Sequence, residues 1–74
     1  MSRAIYSKDH KYLVKQLKKA REEAGLEQKE VAKLLGATQS YVSKAESGQR
    51  RIDVVQLKEF AKIYKKKLAF FIRK

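Results

Sequence analysis

Gln39, Ser40, Ser43 and Lys44 are the side chains in this sequence best suited to reading another molecule's surface. On a helix, spacings of three and four residues bring such positions onto one side. A Gln amide offers a donor and an acceptor, so Gln39 can grip adenine N6 and N7 together. Ser40 donates or accepts and discriminates less. Lys44, one turn beyond Ser40, can reach guanine O6 and N7 or a phosphate. Ser43 is short, and either meets a phosphate or simply permits close approach. The plain alternative is a solvated polar helix face. What favours base contact is the local frame around these residues.

That frame is QKEVAKLLGATQSYVSKAESG, residues 28–48. It reads as two short helices joined by a tight turn. Val31, Ala32 and Leu35 mark the buried side of the first helix. Gly36 supplies the positive φ that ends it. Thr38 is the N-cap candidate of the second helix, expected over about 39–47. Val42 and Ala45 form its buried side, and Gly48 closes it. A helix that aims Gln, Ser and Lys outward suits the major groove of double-stranded DNA. Arg50 and Arg51 follow in a loop, where guanidiniums suit bidentate phosphate contacts or stand as ordinary solvated charges. Tyr41 either stacks on the sugar-phosphate backbone or packs back over the preceding helix.

The rest of the chain must hold this pair in place. Glycines at 25, 36 and 48 punctuate it, and there is no proline. Residues 1–8 are expected to be a polar arm with Ile5 and Tyr6 as anchors, and 9–74 the folded domain. Ser7 or Asp9 caps a first helix running to about Ala24. Leu13, Leu17, Ala20 and Ala24 form its apolar stripe. Lys15, Lys18, Lys19, Glu22 and Glu23 solvate its other faces. Asp53 with Gln56 is a capping-box pattern for a fourth helix, buried through Leu57, Phe60, Ala61 and Tyr64. Lys65, Lys66 and Lys67 break that pattern before a short last helix, Leu68 to Ile72. The expectation is all-α: a compact domain of five helices and no strand.

Charge agrees with a polyanionic partner. Nineteen Lys and Arg against eight Asp and Glu leave a net charge of +11 on 74 residues. Such an excess favours nucleic acid first and an acidic membrane surface second. There is no Cys and a single His, His10, which leaves no case for a thiol nucleophile, a disulfide framework or a metal site. The scattered acids Glu22, Glu23, Glu27 and Glu30 fit helix surfaces rather than a catalytic dyad. No apolar run approaches the ~20 residues needed to span a bilayer, and the N-terminus lacks a secretory core. A cytoplasmic, non-enzymatic protein without cofactor is expected.

Together, Leu17, Arg21, Gly25-Leu26, Gln28, Val31-Ala32, Leu35-Gly36, Gln39-Ser40, Val42-Ser43, Glu46 and Gly48 resemble the lambda-repressor-like helix-turn-helix family, of the Cro and xenobiotic-response-element type. The resemblance runs from about Leu13 to Phe71. It implies a five-helix domain that binds operator DNA, usually as a symmetric dimer, with the 39–47 helix in the groove. It implies that Gln28 hydrogen-bonds Gln39 while contacting a phosphate. Glu27 departs from the family's usual Thr or Ser before that Gln, and its charge opposes a nearby phosphate, with Lys29 in the same turn to compensate. With Thr38, Tyr41, Arg50 and Arg51, these residues make up the expected DNA-backbone contacts. The resemblance also implies an internal ion pair between Arg21 and Glu46. Arg21 is therefore assigned to structure, and removing one partner would cost about 3–5 kcal/mol.

A homodimer through the last segment is expected on the same grounds. LAFFI puts apolar side chains on every face of a short helix. Leu68 and Phe71 should finish the core beside Leu57 and Tyr64. Phe70, with Ala69 and Ile72, is left outward for a partner to cover. A two-fold dimer would set two recognition helices ~34 Å apart, one DNA turn. The Lys65–Lys67 run opposes close approach at such an axis. The leading expectation is a sequence-specific transcriptional regulator occupying an operator, in the manner of a repressor. A second is an antitoxin-like or partner-recruiting module whose DNA binding serves autoregulation. A third, a basic membrane-surface helix, conflicts with the Lys65–Lys67 break.

Overall fold

A computed structural model describes residues 7–73. Among these the chain forms α1 (Lys8–Glu23), α2 (Gln28–Leu35), α3 (Gln39–Ser47), α4 (Val54–Tyr64) and a closing 3-10 helix (Leu68–Phe71), with no strand. The proposed anchors Ile5 and Tyr6 lie outside the described residues.

Each start and stop has a local cause. Ser7 Oγ accepts the His10 N–H at 3.0 Å, so Ser7 rather than Asp9 caps α1. Thr38 Oγ1 accepts the Tyr41 N–H at 3.1 Å and starts α3. Asp53 and Gln56 form the reciprocal box at α4, at 2.8 and 3.0 Å. At α2 the carboxylate of Glu30 reaches back to the Glu27 N–H at 2.8 Å. Gly36 and Gly48 end α2 and α3 at φ 70° and 84°. Lys65 ends α4 in the same left-handed region, at φ 57°, without being a glycine.

The core is drawn from every element. Leu17 and Ala20 of α1 meet Val31 and Ala32, Val42 and Ala45, then Leu57, Phe60, Ala61 and Tyr64, with Phe71 closing it. Phe60 is fully buried at the centre, its ring stacked between Tyr41 and Tyr64 at 6.1 and 6.0 Å. Two expectations shift. Ala24 is exposed, because it is the residue after α1's last turn and the chain is already leaving the core. The last short helix is a 3-10 turn and ends at Phe71, one residue before Ile72. Four residues are too few to sustain a longer helix, and its three-residue repeat still puts Leu68 and Phe71 on one inward face.

That closing turn is tied to α1 rather than free. Gln16, buried on α1, donates its side-chain N–H to the Phe70 carbonyl at 3.0 Å. Glu23 pairs with Lys66 at 2.7 Å, and Asp9 with Arg73 at 2.9 Å. No helix among the described residues is long and apolar enough to cross a membrane.

Candidate nucleic-acid interface

At about 100° per residue, Gln39, Ser43, Ser47, Ser40 and Lys44 fall within one arc of about 140° around α3. All five are exposed. Val42 and Ala45, both fully buried, occupy the opposite side. Glu46 lies at one margin of the arc and Tyr41 at the other. The helix therefore presents a continuous polar strip, small except for its first Gln and its Lys. Among the described residues no hydrogen bond engages the side chains of Gln39, Ser40, Ser43 or Lys44.

The Glu46 margin is locked. Arg21 Nε donates to Glu46 Oε2 at 2.7 Å and a terminal guanidinium nitrogen to Oε1 at 3.2 Å. The other terminal nitrogen reaches the Leu26 carbonyl at 2.9 Å. The Glu46 side chain is only 5% exposed. Its hydrogen bond holds the Arg21 guanidinium above its ordinary pKa, against the opposing effect of burial. Thus α1, the α1–α2 turn and α3 converge on one planar fork.

Gln28 departs from what the family resemblance implies. Its side-chain N–H donates to Glu46 Oε1 at 3.1 Å, and no bond joins it to Gln39. A carboxylate can only accept, so it takes the amide N–H. The charged, nearly buried oxygen outcompetes an exposed amide at the start of α3. Gln28 is consequently half-buried and helps hold α2 to α3.

At the other margin, Tyr41 packs back against the core, its ring on Phe60 of α4. Its ring lies parallel to Phe60, with an interplanar angle of 6°. Arg50 lays its guanidinium over the same ring, 4.6 Å from the centroid. Arg51 and Lys29 are exposed. Thr38 is exposed, its oxygen engaged as the α3 cap.

Behind this surface lie His10, to which the sequence assigns no role, and Tyr64, which is buried as its place in the α4 stripe implies. His10 is buried on α1, and its Nε2 lies 3.2 Å from the Gly48 carbonyl at the end of α3. The signal was present, since His10 continues the apolar stripe of Leu13, Leu17 and Ala20 by one turn. Tyr64 has a buried hydroxyl with no hydrogen-bond partner among the described residues. Burial, reinforced by the Glu46 charge, pushes its pKa well up.

The residues assigned to a dimer surface are divided. Ala69 and Ile72 are exposed, Ile72 at 54%. Phe70 does not stand outward. It packs edge-on against Phe71 at 5.1 Å and lies beneath the Lys66 ammonium at 4.7 Å. A 3-10 turn places its third residue beside the core's rim, where Phe70 is half-buried with Lys66 over part of its ring.

Comparison with known proteins gives one consistent answer. The helix-turn-helix family matches residues 17–71. A solved structure of an XRE-family like protein from Pseudomonas syringae pv. tomato str. DC3000 is similar, with 35% identity and a TM-score of 0.81. The similarity covers 92% of this chain and 83% of that one. No curated protein matches.

Proposed function

This chain belongs to the XRE-type helix-turn-helix family, and from that premise we propose that it is a transcriptional regulator that occupies a specific double-stranded DNA operator. The observation that carries this reading is the uncommitted polar strip of α3, backed by a chain of net charge +11. In the major groove, Gln39 and Ser40 meet base edges first, because they open the helix. Gln39 takes adenine N6 and N7, and Lys44 takes a guanine or a phosphate one turn on. Ser43 lets the helix approach closely.

Backbone contacts frame these. Arg50, splinted by Tyr41, and Arg51 serve one side, while Lys29 and Gln28 serve the other. Gln28 keeps its amide oxygen and one N–H for this role, its other N–H being engaged by Glu46. The Thr38 hydroxyl proton and the Tyr41 hydroxyl are available to phosphates. The protein works as a homodimer whose contact is built on Ile72 and Ala69, with Phe70 supporting from beneath. It acts in the cytoplasm, and occupancy of the operator represses.

Selection of bound sequences from a random duplex pool tests the reading. A palindromic motif with half-sites one DNA turn apart is the expected result. Recovery of unrelated sequences would defeat operator recognition.

A further inference from the structure

The seam between α1 and α3 holds a charge that the family pattern does not use. Lys18, Arg21, Gln28, Ser43, Glu46 and Ser47 line one shallow hollow. Arg21 and Glu46 neutralise each other there, and Gln28 is tied to Glu46. Lys18 brings the uncompensated charge. The ion pairs among the described residues are Arg21–Glu46, Lys66–Glu23 and Arg73–Asp9, and none takes Lys18. Glu22, one turn further along α1, does not pair with it either. A neighbouring hollow, which Lys18 shares with Lys15 and Lys19, is also lined by Glu22 and Glu46; with Glu46 paired to Arg21, the lysines there outnumber the one remaining carboxylate.

The position of this cation matters more than its presence. Ser43 and Ser47 belong to the exposed arc of α3, and Glu46 lies at one margin of that arc. Arg50 rests on Tyr41, at the opposite margin. A groove that receives α3 is walled by two phosphate backbones, one at each margin. Arg50 meets one wall. The wall on the α1 side faces Lys18, close to Gln28.

We propose that Lys18 is a phosphate-contacting residue for duplex DNA, so that a cation flanks the recognition helix on each side. The inference rests on the operator-binding reading above. Its chemistry is that of a compact ammonium against phosphate oxygens. It adds affinity equally to all duplexes and carries no base preference.

The test is a salt titration of the full chain on a mixed-sequence duplex of about 24 base pairs, followed by fluorescence anisotropy. Lys18→Gln is expected to lower the slope of log affinity against log salt by about 0.9 per bound chain, the loss of one phosphate contact. Lys18→Arg should restore it. Lys58→Gln, an exposed lysine of α4 outside this hollow, removes the same charge and should leave the slope near wild type. Arg50→Gln should lower it. If Arg50→Gln lowers the slope and Lys18→Gln does not, Lys18 makes no contact and operator binding stands. Equal losses for Lys18→Gln and Lys58→Gln would also overturn the proposal, since only total charge would then count. A wild type that binds no duplex would sink the operator reading itself, and the proposal with it. Lys18 is exposed, so a thermal melt matching wild type is expected for the variant.

Discussion

His10 and Gly48 are 38 residues apart in sequence, yet the imidazole Nε2 lies 3.2 Å from the glycine carbonyl oxygen. A carbonyl only accepts, so Nε2 carries the proton. Gly48 ends α3, where carbonyls lack intrahelical partners. The first turn of α1 thus caps the last turn of α3. His10→Ala should cost about 0.5–1.5 kcal/mol in urea denaturation, the loss of a hydrogen bond to a half-buried carbonyl. Amide exchange over 44–48 should rise with it. A variant as stable as wild type, with unchanged exchange, would show that the contact does not hold the helix end.

The Arg21–Glu46 fork leads to a different expectation. Arg21→Ala and Glu46→Ala should each destabilise by about 3–5 kcal/mol. The double variant should lose clearly less than the sum, because the second removal relieves a stranded charge. Gln28→Ala should couple to Glu46→Ala and not to Gln39→Ala, following the hydrogen bond observed. Additive losses for Arg21 and Glu46 would argue that the fork contributes no pairing energy.

Tyr64→Phe should be neutral or stabilising by up to about 1 kcal/mol, since it deletes a buried hydroxyl that has no partner among the described residues. The alkaline limb gives a second readout. A phenol in the unfolded chain titrates near pH 10. Burial raises the folded pKa above that, so at higher pH the unfolded chain loses the proton first and stability falls. The fall begins near pH 10 and continues upward to the folded pKa. Chemical denaturation between pH 9 and 11 should show a shallower decline for Tyr64→Phe than for wild type; parallel curves would contradict this.

Gln39→Ala should weaken binding to the selected operator by roughly 1–3 kcal/mol and relax preference at one base pair per half-site. Arg51→Ala should weaken all duplexes alike and lower the salt slope. An unchanged selected motif for Gln39→Ala would mean that α3 does not read bases through its first residue.

For the dimer, Ile72→Lys is a cleaner probe than Phe70→Lys. Phe70 packs against Phe71 and supports the fold, whereas Ile72 is exposed. Sedimentation with a palindromic duplex should give two chains per duplex for wild type and a weakened second binding step for Ile72→Lys. A variant that loads both chains as tightly as wild type would move the interface elsewhere.

The legible parts of the chain were those governed by neighbours in sequence. Gly36 and Gly48 ended helices as read, and Thr38 and the Asp53–Gln56 pair started them. The end of α4 is marked by the Lys65–Lys67 break rather than by a glycine, and Lys65 itself adopts the left-handed conformation that a glycine usually supplies. The last helix is legible as a helix, but its type and its final residue are not: periodicity over five residues cannot distinguish an α-helix from a 3-10 turn. Tyr41 on Phe60, Gln28 on Glu46 and Gln16 on Phe70 are settled by three-dimensional competition for partners. Spacing along one helix does not carry that information.

The bare strip of α3 separates two jobs that proteins often combine. The scaffold is secured by Glu46, Val42, Ala45 and the caps at Thr38 and Gly48, while the exposed side chains of Gln39, Ser40, Ser43 and Lys44 make no hydrogen bond or ion pair among the described residues. Surface substitutions of that kind usually change stability by less than about 0.5 kcal/mol. The four positions can therefore be rewritten together without refolding the domain. Under the operator reading proposed above, drift at the strip alone would give a descendant a new operator, and another reading head could be grafted onto the same five elements.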